Sequence, residues 1–192
     1  MIYLAYQAQS ELLAPVQAMA RMAAAALRLP IPGMAQSFAA RNLAAAYEML
    51  GDAGLTHARP AFNISSVTIG DRKLAVREEL VEITPFGTLL RFAKDSNIAQ
   101  PRVLVIAPLS GHFATLLRGT VETLLPDHDV YITDWHNARD TSLAHGRFGF
   151  DEYVDHIIRF LETMGPGAHV VAVCQPCVAA LAAVAVMAEA GN

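Results

Sequence analysis

The sequence predicts an α/β protein in which a mainly parallel sheet follows an N-terminal helical arm. Three apolar, β-branched runs begin near Pro101, His128 and Ala168, and a segment of helical character follows each of them. Strands that alternate with helices in this way build parallel sheets through right-handed crossovers. We therefore expect a helical arm over residues 1–58 and the first part of an α/β domain over residues 59–192.

The arm is predicted from its helix-forming residues. Alanine, methionine, leucine and arginine fill most of the segment between Pro15 and Pro30, and all of them favour helices. A second helix is expected from a Ser37 cap to about Gly51. Its larger apolar residues lie roughly on one face, which we expect to cover the protein's own core, with contact to an apolar particle as the alternative. The face consists of Phe38, Leu43, Tyr47 and Leu50.

A different pattern begins after Pro60. Apolar residues alternate with polar ones at Val67 and Ile69, and Gly70-Asp71 follows as a turn. Alternation of this kind is typical of a strand with one buried face. We expect two or three antiparallel strands here, at the start of a larger sheet.

Composition and charge exclude several classes of protein. The chain has 192 residues, of which 54% are hydrophobic and 17% charged, and its net charge is −4 without a basic cluster. It is too apolar for a disordered protein, and nothing in it predicts a nucleic-acid partner. The most apolar window, Val170–Ala188, is interrupted by Gln175 and Pro176, whereas a transmembrane helix needs about 20 continuous apolar residues. With no secretory leader in the first residues, we expect a soluble intracellular protein.

The segment that follows the third apolar run predicts a nucleophile elbow. In such an elbow a sharp turn between a strand and a helix exposes the attacking side chain, usually within the pattern G-x-S-x-G of α/β-hydrolases. Here Ala172 replaces the first glycine, Cys174 the serine and Pro176 the second glycine. Proline is acceptable in a first helical turn because its missing N–H would be unpaired there. The helix N-terminus favours a thiolate, so Cys174 is the predicted nucleophile.

Two groups of backbone amides are candidates for an oxyanion hole. The N–H of Gln175 comes directly after the nucleophile. The second group follows the first apolar run, at Ser110, Gly111 and His112, where hydrolases with this elbow place their other donor. His112 as a general base is the less favoured alternative, because the catalytic histidine of such enzymes comes late in the chain.

Other interpretations of Cys174 stay open on pattern alone. It can be a buried, inert thiol, since free cysteine is among the most buried residue types. It can also form a C-x-x-C redox pair with Cys177. Two cysteines without a second pair are a weak zinc signal, and we predict neither a metal nor a cofactor. Asp134, at the end of the second apolar run, is expected to cap or hold a neighbouring loop.

Several of these segments together resemble the intracellular polyhydroxyalkanoate (poly-3-hydroxybutyrate) depolymerase family. They are "VLVIAPLSGHFATLLR" at Val103–Arg118, "VYITDW" at Val130–Trp135 and "VCQP" at Val173–Pro176. The first residues, "MIYLAYQAQSELLAPVQAMA", and the later "LAAAYEML" and "RPAFNI" are similar to that family's N-terminal region. The likeness spans essentially the whole chain.

The resemblance implies an α/β-hydrolase with a Cys-His-Asp triad that cleaves the ester bonds of storage polyester. Cys174 takes the nucleophile role and Cys177 becomes a bystander. An acyl-enzyme would form, and water would release 3-hydroxyalkanoate monomers or oligomers. The implied partner is the polymer or its granule surface, the implied location is the cytoplasm, and the helical arm would contact the granule.

The same resemblance places the triad's acid and histidine beyond residue 192. We therefore expect the sequence to be the N-terminal portion of the enzyme, poorly soluble and inactive as a separate chain. A non-catalytic granule-binding or pseudo-enzyme fragment is the main alternative, and a dithiol redox module is less favoured. The sequence leaves the oligomeric state open.

Overall fold

The computed structural model describes most of the chain in two compact units. The described residues are 2–29, 37–53, 59–96, 98–109 and 113–191. The units comprise residues 1–57 and residues 58–192.

The first unit is a pair of helices, α1 (Ile2–Leu27) and α2 (Phe38–Gly51). The predicted cap of α2 is confirmed, because Oγ of Ser37 accepts a hydrogen bond of 3.1 Å from the N–H of Ala40. A serine oxygen in this position satisfies one of the amides that have no partner within the helix.

Small residues line the contact between α1 and α2. Ala20, Ala24 and Ala44 are buried, and a Cβ on Gly51 would lie 2.7 Å from Cγ of Arg21. The two helices therefore approach closely at these small residues. The apolar face predicted for α2 lies largely outside this contact, and its role in covering a core stays a prediction. The exposed members of that face are Phe38 (80%), Leu43 (48%) and Leu50 (47%).

The second unit contains a six-stranded sheet with the order β1-β2-β3-β5-β4-β6. Its strands are β1 (Ser66–Ile69), β2 (Arg72–Ile83), β3 (Gly87–Lys94), β4 (Arg102–Ile106), β5 (Asp129–Trp135) and β6 (His169–Ala172). The helices after β4, β5 and β6 are α3 (Arg118–Leu124), α4 (Phe150–Met164) and α5 (Pro176–Glu189). Two short 3-10 helices lie in the connections, at Ala114–Leu117 and Leu143–His145.

The predicted mainly parallel, α/β-hydrolase-like sheet is wrong. The sheet is mixed, and antiparallel pairs join β1 to β2, β2 to β3 and β3 to β5. Only β4 with β5 and β4 with β6 are parallel pairs among the described strands. The sheet is mixed because the hairpin of β2 and β3 is joined to the parallel strands. This junction is the antiparallel pairing of β3 with β5. The predicted hairpin strands themselves are present, and Gly70 turns between β1 and β2 with a φ of +58°.

The three apolar runs form the predicted strands β4, β5 and β6, and β6 is only partly buried. Val103, Leu104, Val105 and Ile106 of β4 are each at most 2% exposed, as expected for a strand covered on both faces. Ile106 pairs with Ala172 in the parallel register. The carboxyl ends of β4 and β6 therefore lie side by side at the same end of the sheet. The candidate site lies at this end.

Candidate functional site

The connection from β6 to α5 is a strained strand-to-helix turn. The strand ends at Ala172 and the helix begins at Pro176, and between them Cys174 has a φ of +68°. A left-handed backbone at a residue other than glycine costs on the order of 1–2 kcal/mol. The strained residue is the one that the sequence predicts to be the nucleophile. Pro176 occupies the first turn of α5, as predicted.

Hydrogen bonds from Cys177 brace this turn from the helix side. Its backbone N–H donates to the carbonyl of Cys174 at 3.1 Å, and its thiol donates to the carbonyl of Ala172 at 3.2 Å. Cys177 thus holds the carbonyl of Cys174 itself and the carbonyl of Ala172, two residues before it. Cys177 is a structural part of the elbow, which the bystander role implied by the resemblance did not include.

The thiol of Cys174 is open to solvent. Cys174 and Cys177 are both exposed and both are free thiols. The interpretation of Cys174 as a buried thiol is therefore wrong, and its reactivity stays a prediction. In the part of the chain that the structure describes, no hydrogen bond joins Sγ of Cys174 to a histidine or a carboxylate.

The end of β4 is fixed beside the elbow by side chains of β5. Oγ1 of Thr133 accepts from the N–H of Ala107 at 2.9 Å, and Nε1 of Trp135 donates to the carbonyl of Ala107 at 2.9 Å. Two residues farther along, the N–H of Leu109 donates to Oε1 of Gln175 at 3.0 Å. The connection after β4 and the elbow are therefore in direct contact.

The predicted oxyanion donors fall into two groups. Ser110, Gly111 and His112 lie outside the described residues. Gln175 has helical backbone angles at the N-terminus of α5. Among the described residues, none accepts a hydrogen bond from its backbone N–H.

Asp134 is a buried residue at the end of β5 and forms an ion pair with the partly exposed Arg59. Its Oδ2 is 2.5 Å from Nε of Arg59, and the residue is only 8% exposed. Its Oδ1 is buried and has no hydrogen-bond partner among the described residues. Burial raises the pKa of Asp134 and the Arg59 cation opposes this rise. Asp134 holds the segment that leads into β1, which agrees with its predicted structural role.

Three exposed apolar residues lie in the segments that meet at the elbow. Val173 precedes Cys174, Val178 lies in the first turn of α5, and Leu109 lies on the connection after β4. These three residues are 65%, 66% and 36% exposed, respectively. A site with this surface suits an apolar substrate better than a charged one.

The described residues were also compared with the requirements of a metal centre and of a membrane-spanning helix, and they meet neither. Among the residues that the structure describes, no group of three or more His, Cys, Asp or Glu side chains is arranged to hold a metal ion. None of the described helices combines the length and the apolar character needed to cross a bilayer.

Comparisons with known proteins found no matching family model, no matching curated protein and no matching solved structure.

The strain at Cys174 predicts an unusual response to glycine. Because glycine adopts positive φ without a steric penalty, Cys174→Gly should unfold with a free energy about 1 kcal/mol higher than Cys174→Ala. Urea denaturation followed by circular dichroism measures the difference. At the helical position Cys177 the order should reverse, since glycine in a helix costs about 1 kcal/mol relative to alanine. Equal stabilities of the two Cys174 variants would show that the turn is unstrained.

Proposed function

We propose that this protein hydrolyses the ester bonds of an intracellular polyhydroxyalkanoate storage polymer, with Cys174 as the nucleophile. The observation that carries the proposal is the exposed thiol on a left-handed turn between β6 and α5. A nucleophile in that position projects from the end of a sheet toward the substrate. The sequence resemblance described above supports the polymer as the substrate class.

The reaction proceeds in two steps. The deprotonated Sγ of Cys174 attacks the ester carbonyl carbon, and the N–H of Gln175 donates to the oxyanion that forms. The carbon–oxygen bond to the polymer alcohol then breaks, the alcohol oxygen takes up a proton, and a thioester remains. Water attacks the thioester, which releases the carboxylic acid and restores the thiol. The resemblance implies a histidine as the proton carrier and an aspartate as its partner.

The surface near the thiol fits a water-insoluble polyester. An exposed thiol can reach a chain that lies on a particle, whereas a deeply buried one requires the substrate to enter a pocket. The apolar residues Leu109, Val173 and Val178 provide a surface for the polymer's hydrocarbon side groups. The helical arm also carries large exposed apolar residues that would contact a granule, namely Leu12, Met19, Met22, Phe38 and Met49.

Amorphous polyester granules test this function. The intact natural protein should release soluble 3-hydroxyalkanoate monomers or oligomers from granules at neutral pH, as measured by chromatography of the supernatant. A protein that binds the granules and releases nothing would contradict the hydrolase and favour the non-catalytic granule-binding alternative. Boiled protein is the control for spontaneous hydrolysis.

A further inference from the structure

The two thiols of the elbow are neighbours that both face solvent. Cys174 and Cys177 are exposed and free, and they are the two cysteines among the 192 residues. A disulfide formed within these residues must therefore join this pair. Because both thiols are exposed, an oxidant dissolved in water can reach each of them.

The backbone between the two cysteines forms a tight turn. The N–H of Cys177 donates to the carbonyl of Cys174 at 3.1 Å, and a bond between residues i and i+3 closes a four-residue turn. The Cα atoms at the two ends of such a turn lie less than about 7 Å apart. Beyond about 7 Å, two cysteines cannot be bridged unless the backbone moves. The turn therefore holds the pair within the range of a disulfide.

The side chain of Cys177 is directed back toward this turn. Its Sγ donates to the carbonyl of Ala172 at 3.2 Å, so the sulfur lies beside the end of β6 and not along the outer surface of α5. A thiol is a weak donor, and rotation about a side-chain bond releases this contact. The second sulfur is thus held at the elbow by an interaction that costs little to break.

An exposed nucleophilic thiol is also the kind of thiol that peroxides oxidise. The thiolate attacks hydrogen peroxide and becomes a sulfenic acid. More peroxide converts the sulfenic acid to a sulfinic acid, which thiols do not reduce. A second thiol within reach prevents this loss, because it condenses with the sulfenic acid to a disulfide that can be reduced again.

We propose that Cys174 and Cys177 form a reversible oxidation site, in which hydrogen peroxide oxidises Cys174 and Cys177 converts the product to a disulfide. In the first step an S–O bond forms, the O–O bond breaks, Sγ of Cys174 loses two electrons and hydroxide leaves. In the second step Sγ of Cys177 attacks Sγ of Cys174. The S–S bond forms, the S–O bond breaks, and the hydroxyl group leaves with the proton of Cys177 as water. A dithiol reductant restores both thiols by exchange and is itself oxidised to a disulfide.

The disulfide occupies the sulfur that the proposed hydrolase uses, so oxidation stops hydrolysis until a reductant acts. This consequence rests on the proposed function, whereas formation of the disulfide does not. Cys177 thereby protects the nucleophile without taking part in hydrolysis.

Differential alkylation tests the oxidation site in the intact natural protein. The protein would be exposed to hydrogen peroxide, alkylated with iodoacetamide, digested and analysed by mass spectrometry, with and without dithiothreitol before alkylation. The matched variant is Cys177→Ser, whose hydroxyl can keep the bond to Ala172 but cannot form a disulfide. Dimedone, which labels sulfenic acids, reports on the first step.

In the unmodified protein we expect peroxide to block alkylation of both cysteines and dithiothreitol to restore it at both. In Cys177→Ser, dimedone should label Cys174, and sulfinic acid on Cys174 should be at least about tenfold more abundant after the same exposure. The proposal is overturned if Cys174 is oxidised while Cys177 remains open to alkylation, as a sulfinic acid or a bond to the amide of Gln175 would leave it. Two unreacted thiols after exposure overturn it as well.

Hydrolysis by the same samples separates this proposal from the proposed function. Release of 3-hydroxyalkanoate by the unmodified protein should fall at least about tenfold on oxidation and return with dithiothreitol. In Cys177→Ser the activity should return only in part. A reversible disulfide in a protein that hydrolyses no polyester would support the oxidation site and contradict the ester hydrolase. Loss of hydrolysis without the disulfide would contradict the oxidation site alone.

Discussion

Replacing Cys174 by alanine should reduce polyester hydrolysis by at least about 10³-fold. Loss of the nucleophile removes the only atom that the proposed mechanism uses to form the acyl-enzyme, and such single substitutions are among the most damaging in hydrolases of this kind. Release of 3-hydroxyalkanoate from granules measures the effect. Far-ultraviolet circular dichroism checks that the variant is folded.

The matched control for this substitution is Cys177→Ser. The thiol of Cys177 donates to the carbonyl of Ala172 at 3.2 Å, and a serine hydroxyl can make the same bond. We expect Cys177→Ser to keep hydrolysis within about threefold of the unmodified protein, since only one donor–acceptor pair is exchanged. Equal loss of activity in the two variants would contradict a single nucleophile and favour the C-x-x-C redox interpretation.

Replacing Arg59 by methionine should lower the free energy of unfolding by about 2–3 kcal/mol at pH 7. The substitution leaves the carboxylate of Asp134 buried without the cation that now lies 2.5 Å away. A buried charge that loses its partner costs more than the pair contributed. Because Arg59 is itself partly exposed, we place the loss below the range for fully buried pairs. Urea denaturation gives the value.

The loss should depend on pH in a defined direction. Burial raises the pKa of Asp134 above its ordinary value, and Arg59 lowers it in part. A carboxyl whose pKa is raised in the folded state favours folding below its ordinary pKa, and this contribution is lost as the pH rises through the raised pKa. Without Arg59 the pKa of Asp134 rises further. The destabilisation by Arg59→Met should therefore be small near pH 4 and should grow toward pH 7.

Two controls separate this effect from a general loss of packing. Adding Asp134→Asn to Arg59→Met should recover most of the lost stability, because the buried charge is then absent. Arg77→Met removes a 68% exposed side chain from its ion pair with Glu79 and should cost less than about 1 kcal/mol. An equal loss for Arg59→Met at pH 4 and pH 7, or no recovery in the double variant, would show that the charge of Asp134 is not the cause.

The sequence predicted individual strands better than it predicted their pairing. The run at Val103–Ile106 is apolar on both faces of its strand, and such a run has few alternatives to a buried strand. By contrast, Leu89, Leu90 and Phe92 of β3 carry no local signal for the strand they pair with. The antiparallel pairing of β3 with β5 joins residues 40 or more positions apart in the sequence. This pairing makes the sheet mixed, and no local pattern specifies it.

The site was predictable to the extent that it is local. The turn at Cys174 follows from an apolar strand that runs into Pro176, and both features are adjacent in the sequence. The hydrogen bond of Gln175 to Leu109 and the ion pair of Arg59 with Asp134 join segments far apart in the chain. A surface glutamine or arginine gives no sequence signal for such a contact.

The helical arm shows the same limit in another form. Its amphipathic pattern led us to place the larger apolar residues in a core. Instead, the buried residues between α1 and α2 are alanines, and a Cβ on Gly51 would lie 2.7 Å from Cγ of Arg21. The distance between two helices is a tertiary quantity, which the periodicity of either helix does not specify.

Mass spectrometry of the trapped acyl-enzyme tests the central claim most directly. The intact natural protein would be mixed with an aryl ester of 3-hydroxybutyrate, quenched with acid and digested. We predict a 3-hydroxybutyryl thioester on Cys174 that is absent from Cys174→Ala and present in Cys177→Ser. An acyl group on another residue, or oxidation of Cys174 and Cys177 to a disulfide without acylation, would contradict Cys174 as the nucleophile of an ester hydrolase.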